Sequence, residues 1–401
     1  MRTVVTAKRL WNGISSLENP ELTIEDGRIA SIVSRAGGEL GAGIQKGAFD
    51  FPEATLAPTF LDVHIHGAAS HDVMEATPEA LSAVGAFLAA HGTGNFLATT
   101  VTAPLDTTLR AVAGLARLIE KPELVDAYID AHSGNGQPVA RPIGIHLEGP
   151  FLSHEKCGVQ PREHMLAPDI AVFDRLFEAA EGRVRLMTLA PELPGAAELT
   201  AHATARAVRV SVGHSNATAA ETRAAMAAGA TSATHTFNAM RALDHREPGI
   251  LGVVLTDDAV FAELICDGIH TAPELVRLWY RAKGRERAIL VTDAMSATGM
   301  PDGEYQLGGF PVQVANGRAM ARGVLAGSVL TLDRALMNFM EYTGAPLEDA
   351  LRLLTVNPAA MIGLDNEAGG LKVGLAANLV AVDAAGRLVA SIQGGRLARD
   401  L

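Results

Sequence analysis

The chain has 401 residues, 48% of them hydrophobic and 19% charged, enough apolar material to bury a large core. Its 33 basic and 45 acidic residues leave a net charge of −12, which argues against a nucleic acid or an anionic membrane surface as partner but not against an anionic small molecule. Two cysteines, Cys157 and Cys266, offer no disulfide framework, MRTVVTAKRLWNG is no leader, and the most apolar stretch, Val84 to Val101, is broken by His91, Gly92, Gly94 and Asn95, so a cytoplasmic chain without a membrane span is expected.

The first elements are β-rich. LTIEDGRIASIV alternates apolar and polar residues around Asp26-Gly27, a hairpin signal. Eight short apolar runs then follow: Leu56–Val63, Gly94–Val101, Ile143–Leu147, Val184–Leu189, Val208–Val212, Thr231–Thr234, Val260–Ile265 and Ala288–Thr292. Most lead into a helical pattern. Thr77-Pro78-Glu79 has the form of a helix start, and further helices are predicted over Asp169–Ala180, Ala217–Ala228, Ala272–Ala282 and Leu330–Tyr342. Strand and helix alternating eight times predict a (β/α)₈ barrel over residues 55–363, its interior filled by aliphatic residues because aromatics are only 4%. GEYQLGGFPVQVANGRAMARG reads as a hairpin inserted after the eighth strand. LAANLVAVDAAGRLVASIQGG alternates around Ala385-Gly386. Both chain ends are therefore expected to share one small β-sandwich domain, residues 1–54 with 364–401.

The informative residues come where the runs end. The first run ends in His64-Ile65-His66, the third in His146-Leu147-Glu148, the fifth in Gly213-His214, the sixth in His235-Thr236-Phe237-Asn238-Ala239 and the eighth in Thr292-Asp293, while the seventh leads to Asp267-Gly268-Ile269-His270. In a barrel the carboxyl ends of the strands converge on one rim, where such folds keep their active sites. His64 and His66, two apart on a strand, point to one side. Imidazoles and carboxylates without a nearby thiolate suit Zn²⁺, Fe²⁺, Mn²⁺ or Co²⁺. An HxH alone is a weak sign; HxH, Glu, His, His and Asp at successive strand ends is a strong one. His146 reads as a structural residue.

HLEGPF at 146–151, GHSNA at 213–217, THTFNAM at 234–240, REPG at 246–249, DGIH at 267–270, VTDAM at 291–295, LAGS at 325–328 and TVNPA at 355–359 together resemble the N-acetylglucosamine-6-phosphate deacetylases of the amidohydrolase superfamily. The resemblance implies a metal-dependent hydrolysis of N-acetyl-D-glucosamine 6-phosphate to D-glucosamine 6-phosphate and acetate, usually by a homodimer. It implies Glu148, His214 and His235 as ligands of the main metal and Asp293 as catalytic acid/base. It further implies a substrate cradle of Asn238 and Ala239, phosphate contacts from His270 and from Arg246 of a partner subunit, and pocket walls at Asp267, Gly268, Ile269, Leu325, Ala326 and Gly327. Some members lack both histidines of the HxH and hold one metal; His64 and His66 leave room for one or two here. Some carry a histidine that polarises the substrate carbonyl where this chain has Gln160 after Val159. Gln160 can donate an N–H but carries no charge. Ser153–Pro161, with Cys157 inside it, reads as a lid.

Two alternatives stay open on sequence grounds. One is the galacto epimer of the substrate, which differs by one hydroxyl. The other is a non-catalytic binding protein on the same barrel, against which the full set of ligands and acid/base counts. Cyclic amidases are disfavoured because Val184–Leu189 has no bridging Lys.

Overall fold

Seven of the eight predicted runs each form one strand of a single parallel sheet, and the first contributes only its second half to that sheet. The structure, a computed structural model, describes residues 2–35, 49–133 and 136–400. The sheet's strands are, in order, Phe60–Ile65, Thr93–Thr100, Arg141–Glu148, Val184–Leu189, Arg209–Val212, Ser232–Ala233, Phe261–Ile265 and Ala288–Val291, each paired with the next. The eighth meets the first just beyond its end: Ile65 bridges Ala294, Asp293 N–H donates to His64 O at 2.9 Å and His66 N–H to Ala294 O at 2.8 Å. Inside this seam the buried Asp62 carboxylate accepts Thr292 Oγ1–H at 2.5 Å and His64 N–H at 3.2 Å. The eight strands thus close into the expected (β/α)₈ barrel.

The helices begin where local chemistry dictates. Thr77 Oγ1 accepts Ala80 N–H ahead of Pro78–Ala90, whose first residue lacks the N–H that a first turn leaves unpaired. Asp169 caps Ile170–Ala179 through Val172 N–H. Thr218 and Glu221 form a reciprocal capping box on Ala219–Ala227. Pro273–Arg287 and Leu332–Thr343 complete the outer ring predicted from the pattern.

Two sequence expectations are corrected. The run Leu56–Val63 is not one strand: Phe49–Pro58 lies in a different sheet, and the barrel begins only at Phe60. Both halves are buried, so the apolar pattern runs through the break without a mark. The insertion after the eighth strand is larger than a hairpin. It is a four-stranded antiparallel sheet of Gly303–Leu307, Phe310–Ala315, Arg318–Ala321 and Val324–Leu325. Its Phe310, Val312 and Val314 share an apolar cluster with Val101, Val159 and Met295, which clamps it to the barrel rim.

The chain ends meet as expected. One sheet runs from Arg396–Asp400 through Leu388–Gln393, Leu379–Val382, Phe49–Pro58, Arg2–Trp11 and Pro20–Glu25 to Arg28–Ser34. Phe49–Pro58 sits in its middle, parallel to the N-terminal strand and antiparallel to Leu379–Val382. Val5, Leu10, Leu22, Leu56, Leu379 and Ile392 fill a core separate from that of the barrel.

Candidate metal centre and active site

The residues at the strand ends leave their strands through tight bends. His214, His235, Ala239 and Asp293 all have positive φ, at 46°, 28°, 48° and 50°. Non-glycine residues held there cost about 1–3 kcal/mol each, and such strain concentrates where side chains must be aimed for function. At Asp293 the neighbouring backbone is fitted around it: Ser328 N–H donates to Asp293 O at 2.7 Å, and a Cβ on Gly327, at φ +62°, would lie 2.9 Å from that oxygen.

These bends, with the ends of the first and third strands, bring six side chains together. Glu148 Oε1 lies 3.1 Å from Nε2 of both His214 and His235 and 3.3 Å from His64 Nε2. Glu148 Oε2 lies 3.4 Å from His66 Nε2. Asp293 Oδ1 is 3.1 Å from His66 Nε2 and 3.6 Å from His64 Nε2. Among the described residues two groups have metal-ligand spacing, His64, His66 and Asp293, and Glu148, His214 and His235, the candidate ligand atoms of each lying within 4.8 Å of one another. All six residues are buried.

Whether this cluster fits a divalent cation can be read from the outer nitrogens. His66 Nδ1 contacts Thr99 O at 3.1 Å and His214 Nδ1 contacts Lys156 O at 3.0 Å. A carbonyl oxygen only accepts, so Nδ1 carries the proton in both rings. His64 Nδ1 faces Glu263 Oε2 at 3.2 Å, with the same consequence. The Nε2 lone pairs then point at carboxylate oxygens, and His214 and His235 Nε2 stand only 3.1 Å apart. Lone pairs converging on anions are stable only around positive charge. The residues fit a cation, with the nitrogen and oxygen donors that Zn²⁺, Fe²⁺, Mn²⁺ and Co²⁺ accept.

The ionisation of the same groups expresses the same demand in protons. Burial opposes a charge on His66, but hydrogen bonds to Asp293 and Glu148 outweigh it and raise the group to about 9. Burial likewise opposes ionisation of Asp293, and the charge of His64 with the hydrogen bond from His66 brings it down to about 2. His146 goes the other way. Burial and the nearby His64 charge push it well below the ordinary imidazole range. Its Nδ1–H donates to Val63 O at 3.2 Å, and its Nε2 accepts from Thr188 Oγ1 at 2.8 Å. Both of its ring nitrogens are thus engaged by barrel groups, the setting a structural residue requires.

The remaining candidates lie around this centre in different states. Gln160 is buried and doubly held: Oε1 accepts Thr102 N–H at 2.8 Å and Nε2 donates to Glu148 Oε2 at 2.5 Å. The first bond fixes the amide orientation, and one Nε2 proton is left over. Val159 packs in the rim cluster. Asn238 Nδ2 donates to His235 O at 3.4 Å, and Ala239 O accepts Ser215 N–H at 3.0 Å. Asp267 receives Ile269 and His270 N–H at 2.8 and 2.7 Å and His270 Nδ1 at 2.6 Å. Burial opposes the charge on His270, yet the Asp267 carboxylate raises it above the ordinary imidazole range. Gly268, φ +74°, lets that turn pass the Tyr342 hydroxyl, which lies 2.7 Å from where a Cβ would stand. Ala326 is buried in the rim cluster and Leu325 is half-buried. Arg246 is exposed on a loop pinned by Asp244 Oδ1, and it does not join the buried centre of its own chain.

The sequence reading missed Glu263. It is fully buried in Phe261–Ile265 and touches His64 Nδ1, and its Oε2 also accepts His235 N–H at 3.3 Å. The signal was present: a single acid among apolar residues in the middle of a barrel strand. Asp62 and Thr292 at the seam, and the carbonyls of Thr99 and Lys156, were not legible because their roles depend on contacts across the barrel mouth.

Residues 55–398 match the amidohydrolase family. The N-acetylgalactosamine-6-phosphate deacetylase of Escherichia coli O157:H7 is 38% identical, over 96% of each chain. The N-acetylglucosamine-6-phosphate deacetylase of Lysinibacillus sphaericus is 37% identical, over 95% of this chain and 93% of its own. Among solved structures, a mutant N-acetyl-D-glucosamine-6-phosphate deacetylase from Mycobacterium smegmatis, in complex with N-acetyl-D-glucosamine-6-phosphate, superposes with a TM-score of 0.88 at 35% identity, over 99% of each chain. Matched along nearly its whole length, with two groups that could hold a metal ion assembled at the rim of its barrel, this chain belongs to the amidohydrolase family.

Proposed function

We propose that this protein hydrolyses N-acetyl-D-glucosamine 6-phosphate to D-glucosamine 6-phosphate and acetate, in the breakdown and recycling of amino sugars. The observation that carries the reading is the pair of adjoining buried groups, Glu148, His214 and His235 beside His64, His66 and Asp293, drawn from five strand ends and linked where Glu148 meets His64 and His66. Glu148, His214 and His235 would hold the main divalent cation, and His64 and His66 a second. When bound, such a cation activates water and polarises a carbonyl. The chain's own residues do the rest. Asp293, held ionised, accepts a proton from the attacking water and returns it to the amide nitrogen, so that the C–N bond breaks with a neutral amine leaving. The spare N–H of Gln160 points the amide at the developing oxyanion. His270, held cationic by Asp267, receives the phosphate, together with Arg246 of a second copy in a homodimer. Leu243, exposed three residues before Arg246, would give that copy an apolar foothold. The cradle is completed by Asn238, Ala239, Val159, the turn from Asp267 to Ile269, and Leu325 to Gly327. We place the enzyme in the cytoplasm; both cysteines are free, and no helix among the described residues is long and apolar enough to cross a membrane.

A second reading, hydrolysis of the N-acetylgalactosamine epimer, is favoured by the name of the Escherichia coli relative. One experiment decides: acetate release from N-acetylglucosamine and N-acetylgalactosamine, each with and without the 6-phosphate, with added Zn²⁺, Fe²⁺, Mn²⁺ or Co²⁺. The gluco 6-phosphate is expected to turn over fastest. Release that ignores the phosphate would refute the reading.

A further inference from the structure

The outer partners of the candidate ligands differ in kind. His66 and His214 direct Nδ1–H to neutral carbonyls, whereas His64 faces a carboxylate, Glu263 Oε2, at 3.2 Å. Glu263 is fully buried in the strand Phe261–Ile265, and its Oε1 is buried with no hydrogen-bond partner among the described residues. A buried carboxylate with one oxygen unsatisfied is costly, and an apolar residue at this position would pack in the barrel without that penalty. Fold stability therefore does not explain it. A carboxylate behind a ligating imidazole does have a known physical effect: it fixes the tautomer, orients the ring and raises the basicity of the inner nitrogen.

We propose that Glu263 is the positioning residue for the cation site formed by His64, His66 and Asp293, acting through His64, and that it selects this site over the neighbouring one. The inference rests on the cation reading given above. Glu263 holds Nδ1–H outward, so that Nε2 of His64 presents its lone pair between Glu148 Oε1 and Asp293 Oδ1. The site of Glu148, His214 and His235 has its own outer partner, Lys156 O on His214, and needs Glu263 only for the weaker bond from His235 N–H at 3.3 Å.

The test is cation binding rather than turnover. Metal-free wild type, Glu263→Gln and Glu263→Leu are dialysed against Zn²⁺ or Co²⁺, bound metal is counted, and the Co²⁺ absorption spectrum is followed through the titration. Glu263→Gln is nearly isosteric and keeps an acceptor for Nδ1–H, so it guards against a variant that fails to fold. The weaker of two binding steps is expected to lose about tenfold in Glu263→Gln and about a hundredfold in Glu263→Leu, with the tighter step little changed. In a His64→Asn background the Glu263 substitutions are expected to have no further effect. Wild-type binding of both cations by Glu263→Leu overturns the proposal. So does an equal loss with and without His64. Wild type that binds no cation sinks the cation reading itself, a result distinct from either.

Discussion

Asp293 and Arg246 sit at opposite ends of the residue-scale argument. Asp293 is buried, ionised and within 3.1 Å of His66 Nε2, so its replacement touches proton transfer and the cation site it shares with His64 and His66, but not the group of Glu148, His214 and His235. Asp293→Asn is expected to keep the cation held by Glu148, His214 and His235 and to lose about 10²–10⁴ in kcat, the usual contribution of a positioned acid/base. Wild-type kcat with full metal, measured on the same sample, would remove Asp293 from the chemistry. Arg246 is exposed, and its planar guanidinium matches phosphate oxygens in pairs. Arg246→Ala should raise KM for the phosphorylated sugar at least tenfold and leave the unphosphorylated sugar unaffected. Steady-state kinetics on both sugars check this directly.

At the scale of an element, the bends after the strands matter more than the strands. The fifth and sixth strands contribute only Arg209–Val212 and Ser232–Ala233, yet each leads into a candidate ligand held at positive φ. The eighth ends in Asp293, against which Gly327 packs so closely that a methyl group would meet its carbonyl at 2.9 Å. Gly327→Ala is therefore expected to lower stability by about 1–2 kcal/mol and to lower kcat by shifting Asp293, with metal content kept. Denaturant melts and elemental analysis read the two effects separately. The cap at Thr218 supplies a control outside both candidate ligand groups: Thr218→Ala should cost about 1 kcal/mol and leave kcat alone.

For the whole molecule, the assembled cluster ties stability to metal and to pH. If a cation binds only the folded barrel, a hundredfold excess over Kd adds about 2.7 kcal/mol to the stability, so chelation should lower Tm and re-addition should restore it. The metal-free protein has a further signature. His66 rises from 6.5 to about 9 on folding, so its stabilising contribution is whole below pH 6.5 and is lost as pH climbs through 9. Tm of the metal-free protein should fall over that window, and that of the loaded protein should fall less, since a cation then supplies the positive charge. Parallel slopes in calorimetry would contradict this.

Alternation and short-range chemistry alone determined the barrel, the shared terminal sheet and the helix starts, because caps, turns and apolar periods are local. They also placed Glu148, His214, His235 and Asp293, since each lies where a strand stops and a barrel sends all such ends to one rim. The break at Thr59 was invisible, because burial on both sides of it leaves the same apolar run. Glu263 and the carbonyls of Thr99 and Lys156 gained their meaning only from tertiary structure. A hydrogen bond to an outer nitrogen is set by neighbours 33, 58 and 199 residues away in the chain, and no local pattern encodes a contact across that distance.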